Sequence, residues 1–207
     1  MNTNKLDVVV VNYNTGNVDS ILKAISMANK TAALSNNREV ILSAKKIILP
    51  GQGSFDYGMD QLLDLNLVNL IIEQVKVKKI PILGICLGMQ LLAEIGYENG
   101  KTTKGLGLIE GKVKKIPTNL KLPHVGWNEV TIKKKDKIFC GIENQKDFYF
   151  IHSYYFECNN TNEVLSSTDY NFNFASSVGK ENIYGVQFHP EKSLKNGLKI
   201  LDNFLKI

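Results

Sequence analysis

Residues 80–92 read IPILGICLGMQLL, and this stretch decides the predicted fold. IPILGIC (80–86) is a short apolar run, as expected of a strand covered on both faces, and LGMQLLAEIG (87–96) predicts a helix that begins at once. Cys86 therefore stands where the strand ends. In open α/β folds, the carboxyl edge of the sheet is where ligands bind.

The segments before this junction alternate between strand and helix patterns. LDVVVVNYN (6–14) and KKIILPG (45–51) predict buried strands, and apolar spacing predicts helices over 17–28 and roughly 56–78. Such alternation implies parallel strands joined by right-handed crossovers.

The second half of the chain is predicted to be mostly strands joined by turns, before a helix at 193–207. The predicted strands are 105–117, 124–135, 148–158, 164–170, 174–180 and 183–191. We therefore predict a single α/β domain over residues 1–207, in which helices cover both faces of a parallel sheet that antiparallel strands extend.

The composition excludes several classes of protein. Hydrophobic residues make up 43% of the 207 and charged residues 22%, as in ordinary globular proteins, and no apolar run is long enough to span a bilayer. The net charge of +5 comes from short lysine runs between apolar segments, so we expect no nucleic-acid partner. The N-terminus has no secretory pattern, which predicts the cytoplasm. Three cysteines without CxxC spacing and three histidines predict no disulfide framework and no metal site.

Cys86 has two interpretations that the residues alone leave open. It is either a small buried hydrophobic residue, which is common for free cysteine, or a nucleophile. Backbone N–H groups and the dipole of the following helix favour a thiolate at this position. Gly84 and Gly88 permit the tight turn of a nucleophile elbow.

A nucleophilic thiol needs a base, and three histidines are candidates. In YGVQFHPEKS (184–193), His189 and Glu191 face the same side of an extended segment, so the carboxylate can orient the imidazole. His152 lies among aromatic residues and is predicted to be a hydrogen-bonded core histidine, while His124 is either structural or at an interface. PGQG (50–53) follows a predicted strand and is either an ordinary turn or an oxyanion hole.

These motifs together resemble a known family, the class I (triad-type) glutamine amidotransferases. PHVGWNEV, FYFIHSYYF and GLGLIEGKV further resemble the glutaminase subunits of imidazole glycerol phosphate synthases, and the resemblance covers nearly the whole chain. It implies a three-layer, flavodoxin-like fold and hydrolysis of L-glutamine without a cofactor. It also implies roles for three residues: Cys86 as nucleophile, His189 as acid and base, and Glu191 as the residue that orients His189.

The resemblance also implies binding residues and a partner. The oxyanion and substrate residues would be Gly51, Gln52, Gly53, Leu87, Gln90, Ser153 and Tyr154. The partner would be a cyclase subunit with a (β/α)8 barrel, which receives ammonia and makes imidazole glycerol phosphate and AICAR in histidine biosynthesis. Residues near the boundary of this heterodimer would be Asn12, His124, Trp127, Tyr149 and Lys192.

Two departures from the family pattern motivate an alternative. Asn12-Tyr13-Asn14 stands where Asp-Tyr-Gly is common, and Gln52 stands where valine is usual. The alternative is a paralogous glutaminase subunit that supplies ammonia to a synthetase amidinating surface sugars. A non-catalytic binding subunit and a stand-alone cysteine hydrolase are the remaining hypotheses.

Overall fold

The computed structural model describes residues 6–16 and 18–207, which form thirteen strands and six α-helices in the alternation expected for the first half. The strands are β1 (Val8–Val11), β2 (Ala32–Ser35), β3 (Ile47–Leu49), β4 (Ile82–Ile85), β5 (Ile95–Glu98), β6 (Lys101–Lys104), β7 (Gly111–Lys115), β8 (His124–Ile132), β9 (Lys146–His152), β10 (Tyr154–Cys158), β11 (Val164–Asp169), β12 (Asn173–Lys180) and β13 (Ile183–Val186). The helices are α1 (Asp19–Met27), α2 (Arg38–Ser43), α3 (Phe55–Asp64), α4 (Val68–Ile72), α5 (Leu87–Leu91) and α6 (Leu194–Lys206).

Parts of two predictions lie outside the described residues. These are residues 1–5 of the predicted domain and residue 17 at the predicted start of the first helix. That residues 1–207 form a single domain stays a prediction. Within the described ranges, no helix has the length and apolar character needed to cross a membrane.

The large sheet has nine strands in the order β2-β1-β3-β4-β13-β12-β11-β8-β9. The first five run parallel to one another, and the last four join by antiparallel pairing. The parallel part has the 2-1-3-4-5 order of flavodoxin-like folds, with β13 as the fifth strand. The predicted parallel sheet with an antiparallel extension is therefore confirmed.

The β1 strand shows how the sequence builds three layers. Its four consecutive valines are all fully buried because both faces of the sheet are covered. Val8 and Val10 belong to the hydrophobic core that includes α1 and α6, whereas Val9 and Val11 belong to the core that includes α3, α4 and α5. Alternate side chains of one strand thus face opposite helix layers, as strand geometry requires.

Two predicted helices are wrong in extent. The helix predicted over 56–78 is divided into α3, α4 and a π-helical turn (Glu73–Val77), and Asn66, with φ +56°, ends the first segment in a left-handed conformation. The helix predicted over 87–96 stops at Leu91 after five residues. The chain then forms the β5–β6 hairpin around Asn99-Gly100, a dipeptide typical of two-residue hairpin turns.

The strand predicted over 148–158 is also wrong, because it is two strands in two sheets. It breaks at Ser153, where β9 leaves the large sheet and β10 enters a second sheet with the order β10-β7-β5-β6. The break positions Ser153 and Tyr154 beside the carboxyl end of β4, because residue 154 contacts the helix that follows Cys86. The β2 strand and α2 were not predicted.

Candidate active site

Cys86 lies on a strained turn at the carboxyl end of β4. Its φ of +54° and ψ of −109° lie outside the regions that L-residues ordinarily adopt, a strain that clusters at functional sites. Two backbone hydrogen bonds hold the turn: Cys86 N donates to Val186 O at 2.8 Å, and Gln90 N donates to Cys86 O at 3.2 Å. The side chain is 6% exposed, so the sulfur stands at the edge of the core.

The glycines on either side of Cys86 are required by close packing. A side chain at Gly88 would overlap the carbonyl oxygen of Leu49 on β3, and one at Gly84 would overlap the backbone of Gly88. The two glycines therefore let α5 lie directly against the ends of β3 and β4, which brings the turn that carries Cys86 beside the Pro50–Gly53 loop.

A cavity of about 310 Å³ opens over Cys86, at the carboxyl ends of β3, β4 and β13. Nine of the predicted site residues line it: Gln52, Gly53, Cys86, Leu87, Gln90, Ser153, Tyr154, His189 and Lys192. The other lining residues are Glu98, Pro123, Ile151 and His152. Gly51 and Glu191 lie behind this wall, where they line a small void next to His189.

His189 and Glu191 form a buried pair. His189 Nδ1 lies 2.8 Å from Glu191 Oε1, and each side chain is 3% exposed. The contact forms through a 3-10 turn (Pro190–Lys192) rather than along the extended strand that the sequence suggested. Burial alone would lower the pKa of His189, but the neighbouring Cys86 and Glu191 outweigh it and raise the pKa above its usual value.

The other two histidines form a neutral hydrogen-bonded chain. His124 Nδ1 lies 3.1 Å from His152 Nε2, and His152 Nδ1 lies 2.8 Å from the Tyr154 carbonyl oxygen. Because that carbonyl can only accept, His152 carries its proton on Nδ1, so its Nε2 accepts from His124 Nδ1. Asn128 Nδ2 then donates to His124 Nε2 at 3.3 Å.

The pKa values of the two rings agree with neutral imidazoles. Burial lowers the pKa of His124 to about 4, and burial is also the main cause that lowers the pKa of His152 to about 3. Both rings are therefore neutral near pH 7 and have both nitrogens engaged. The prediction that His152 is a hydrogen-bonded buried histidine is confirmed, although the ring also lines the cavity.

The Pro50–Gly53 loop lies beside Cys86 and is held by Tyr13, whose hydroxyl donates to the Pro50 carbonyl. Gly53 has φ +109°, a backbone conformation that strongly favours glycine. Gln52 and Gly53 of this loop and Leu87 line the same cavity as the sulfur, so the oxyanion hole predicted at these residues would lie beside Cys86.

Glu98 is a cavity residue that the sequence reasoning missed. It ends β5, and its Oε2 accepts a hydrogen bond from Phe55 N at 2.7 Å, while burial raises the pKa of the carboxyl. The Asn99-Gly100 turn was a signal for the hairpin that carries it. No pattern in the sequence indicated that this hairpin would fold over Cys86.

The predicted boundary residues separate into a surface group and a buried one. Trp127 is 48% exposed and packs edge-to-face on Tyr149, with ring centroids 5.8 Å apart, and Lys192 Nζ lies 6.0 Å from the Tyr149 ring. Asn12 is half-buried at the end of β1. His124 does not lie on this surface: it is 3% exposed and stacks between Phe150 and Tyr170.

Comparisons with known proteins agree with this geometry. The family described as glutamine amidotransferase class-I matches residues 7–207. The imidazole glycerol phosphate synthase subunit HisH of Pelagibacter ubique (strain HTCC1062) is 46% identical over 209 residues, covering 98% of this chain and 100% of that protein. The subunit HisH 1 of Campylobacter jejuni subsp. jejuni serotype O:23/36 (strain 81-176) is 44% identical over 202 residues, covering 97% and 100%. A crystal structure of a glutamine amidotransferase has the same fold, with a TM-score of 0.75 and 18% identity over 96% of this chain and 97% of that one.

The fold and the cavity define an α/β protein with a cysteine on a strained turn and a histidine–glutamate pair after the neighbouring strand. The family that matches is that of the class I glutamine amidotransferases. The chain belongs to this family and, within it, to the HisH subunits of imidazole glycerol phosphate synthase. The predicted family and fold are thereby confirmed.

Proposed function

We propose that this chain hydrolyses L-glutamine to L-glutamate and passes the ammonia to a cyclase subunit, as the glutaminase of an imidazole glycerol phosphate synthase. The observation that carries the proposal is the buried His189–Glu191 pair at 2.8 Å: His189 lines the same cavity as the strained Cys86, and Glu191 lies behind His189. The relatives named HisH, 44% and 46% identical over nearly the full length, support this assignment.

The roles of the three residues follow from their chemistry. The Cys86 thiolate attacks the side-chain amide carbon of glutamine, and the C=O becomes an oxyanion near the N–H groups of the Gly51–Gly53 loop and Leu87. His189, charged and oriented by Glu191, gives its proton to the departing nitrogen, so ammonia leaves and a thioester remains. Neutral His189 then takes a proton from water, which attacks the thioester and releases glutamate and the thiol.

His189 suits the acid–base role better than the two other histidines. His124 and His152 are neutral and hydrogen-bonded to each other, and His152 Nε2 is occupied as an acceptor. Neither can take a proton without breaking that chain. A raised pKa and a carboxylate partner favour a charged imidazole at His189.

The remaining cavity residues suit the amino-acid end of the substrate. Glu98 has a carboxylate that lines the cavity and can pair with the α-ammonium group, and the ammonium of Lys192 can pair with the α-carboxylate. Gln90, Ser153 and Tyr154 also line the cavity and supply further hydrogen-bonding groups. A cavity of about 310 Å³ is at the small end of the range for ligand sites, which fits a single amino acid.

The proposed partner is a cyclase subunit, for which we keep the (β/α)8 barrel as a prediction, and the cytoplasm remains the predicted compartment. Ammonia released into water at neutral pH becomes ammonium, which is not a nucleophile, so direct transfer between subunits is needed. Trp127, Tyr149 and Lys192 form an aromatic and cationic surface beside the cavity, and tryptophan is enriched at interface hot spots.

The test is glutamate release from L-glutamine by the purified chain, alone and with the same organism's histidine-pathway cyclase plus its nucleotide substrate. We expect a large rise with the loaded cyclase, which Cys86→Ala abolishes and Cys140→Ala, at an exposed cysteine, leaves intact. No glutamate release by the folded mixture would refute the proposal. Ammonia transfer to a sugar substrate alone would favour the surface-sugar alternative.

A further inference from the structure

Gln187 lies beside the reactive sulfur but has no part in the chemistry above. Its side chain is fully buried, and it follows β13, which pairs in parallel with β4 so that Val186 is the register partner of Ile85. The residues that follow these strand ends, Gln187 and Cys86, are therefore adjacent, and Gln187 Nε2 lies 3.7 Å from Cys86 Sγ.

The hydrogen-bond network fixes which end of the Gln187 amide faces the sulfur. The Tyr154 carbonyl oxygen can only accept, so the Gln90 atom 2.9 Å away from it is the amide nitrogen, Nε2. The same nitrogen lies 3.0 Å from Gln187, so the Gln187 atom at that contact is the carbonyl oxygen. The NH2 group of Gln187 must therefore face Cys86.

We propose that Gln187 stabilises the Cys86 thiolate by donating an amide N–H to the sulfur. This inference rests on the proposed function only in taking Cys86 as the nucleophile. As a thiol, Cys86 donates to the Ile151 carbonyl at 3.6 Å, a contact that loses its proton when the thiolate forms. The Gln187 donor remains, and hydrogen bonds to a charged acceptor are stronger than those to a neutral one.

The contribution from Gln187 is separate from that of the short α5 helix. The Gln187 amide is already oriented by Gln90 before the thiolate forms. A donor that needs no reorientation is effective in a buried site because little energy is spent in aligning it.

The test measures alkylation of Cys86 by iodoacetamide between pH 5 and 10, in the full chain, with peptide mass spectrometry to separate Cys86 from the other cysteines. Gln187→Met keeps a side chain of similar length and removes the donor. We expect its alkylation rate at pH 7 to fall by about tenfold, and the midpoint of the pH profile to rise. Gln187→Glu, which keeps the shape but adds a negative charge, should fall at least as far.

Gln74→Met is the matched control, since Gln74 is also buried but lies on the π-helical turn away from the cavity. It should alkylate like the wild type. If both Gln187 variants alkylate at rates within twofold of the wild type and the midpoints of their pH profiles are unchanged, the inference is overturned, even if their melting temperatures fall. If the wild type hydrolyses no glutamine but Gln187→Met still slows alkylation, the proposed function fails and this inference stands.

Discussion

The Glu191→Gln substitution tests the proposed Cys86–His189–Glu191 triad most directly, because it removes a charge and keeps the shape. Glu191 Oε1 accepts from His189 Nδ1 at 2.8 Å, and the pair is 3% exposed, so solvent hardly screens it. Hydrogen bonds to charged groups contribute about 1.5–3 kcal/mol and neutral ones about 0.5–1.5 kcal/mol. The difference of about 1–1.5 kcal/mol predicts a loss in kcat of about five- to tenfold.

The loss is larger if the new amide presents its NH2 group to Nδ1, because His189 would then adopt the wrong tautomer. In a Ser–His–Asp triad the corresponding change costs about 10⁴-fold. The pH profile gives a second readout. Glu191 helps to raise the pKa of His189, so without this carboxylate the imidazolium loses its proton at lower pH. The alkaline limb of kcat/KM should therefore move to lower pH.

The assay is steady-state glutamate release with saturating cyclase and nucleotide, from pH 6 to 10. Glu163→Gln is a suitable control, because Glu163 is also buried and pairs with Lys180 at 3.2 Å, but does not line the cavity. Turnover of Glu191→Gln within twofold of the wild type, with an unchanged alkaline limb, would refute the role given to Glu191.

Three further substitutions or conditions have defined outcomes. Gly88→Ala should lower the free energy of unfolding by about 1–3 kcal/mol in urea titrations, because its methyl group overlaps the Leu49 carbonyl; an unchanged midpoint would contradict this packing. His124 and His152 have pKa values lowered to about 4 and about 3, so the unfolded chain binds protons near pH 6.5 that the folded chain does not. Stability should therefore fall as the pH drops from 6.5 to 5, with a slope that grows toward about 1.4 kcal/mol per unit for each histidine as the unfolded imidazole becomes fully protonated. A flat profile would show that folding does not lower the two pKa values. Trp127→Ala should weaken cyclase binding by about 2 kcal/mol in calorimetric titration, more than the loss of about 1 kcal/mol in the chain's own free energy of unfolding that follows from removing its contact with Tyr149.

The sequence was sufficient to predict the parallel core because its strands are covered on both faces. Runs such as Val8–Val11 and Ile82–Ile85 have no polar face, which only a sheet between two helix layers accommodates. The strand-to-helix junction at Cys86 was also predictable, because the strand pattern changes to a helix pattern there and glycines lie on both sides of it.

The remaining parts depended on contacts between distant segments. The apolar residues of 87–96 fit a helix, but packing against Phe55 draws residues after Leu91 into the β5 hairpin: a side chain at Gly96 would overlap the Phe55 ring. The residues of 148–158 are largely aromatic and include no glycine, proline, asparagine or aspartate that would mark a turn, yet the two halves pair with different sheets and the strand breaks at Ser153. Glu98 could not be predicted as a cavity residue from the sequence, because the position of its hairpin depends on tertiary contacts.

The break at Ser153 has a consequence for engineering this chain. The proposed chemical groups Cys86 and His189 are attached to neighbouring strands of the nine-stranded sheet, whereas Glu98 and Tyr154 belong to the four-stranded sheet. The cavity is therefore lined by residues from two different sheets. If the proposed roles hold, exchanging residues of the smaller sheet should alter substrate preference while Cys86 and His189 keep their alignment, so selection for a different amide substrate should begin there.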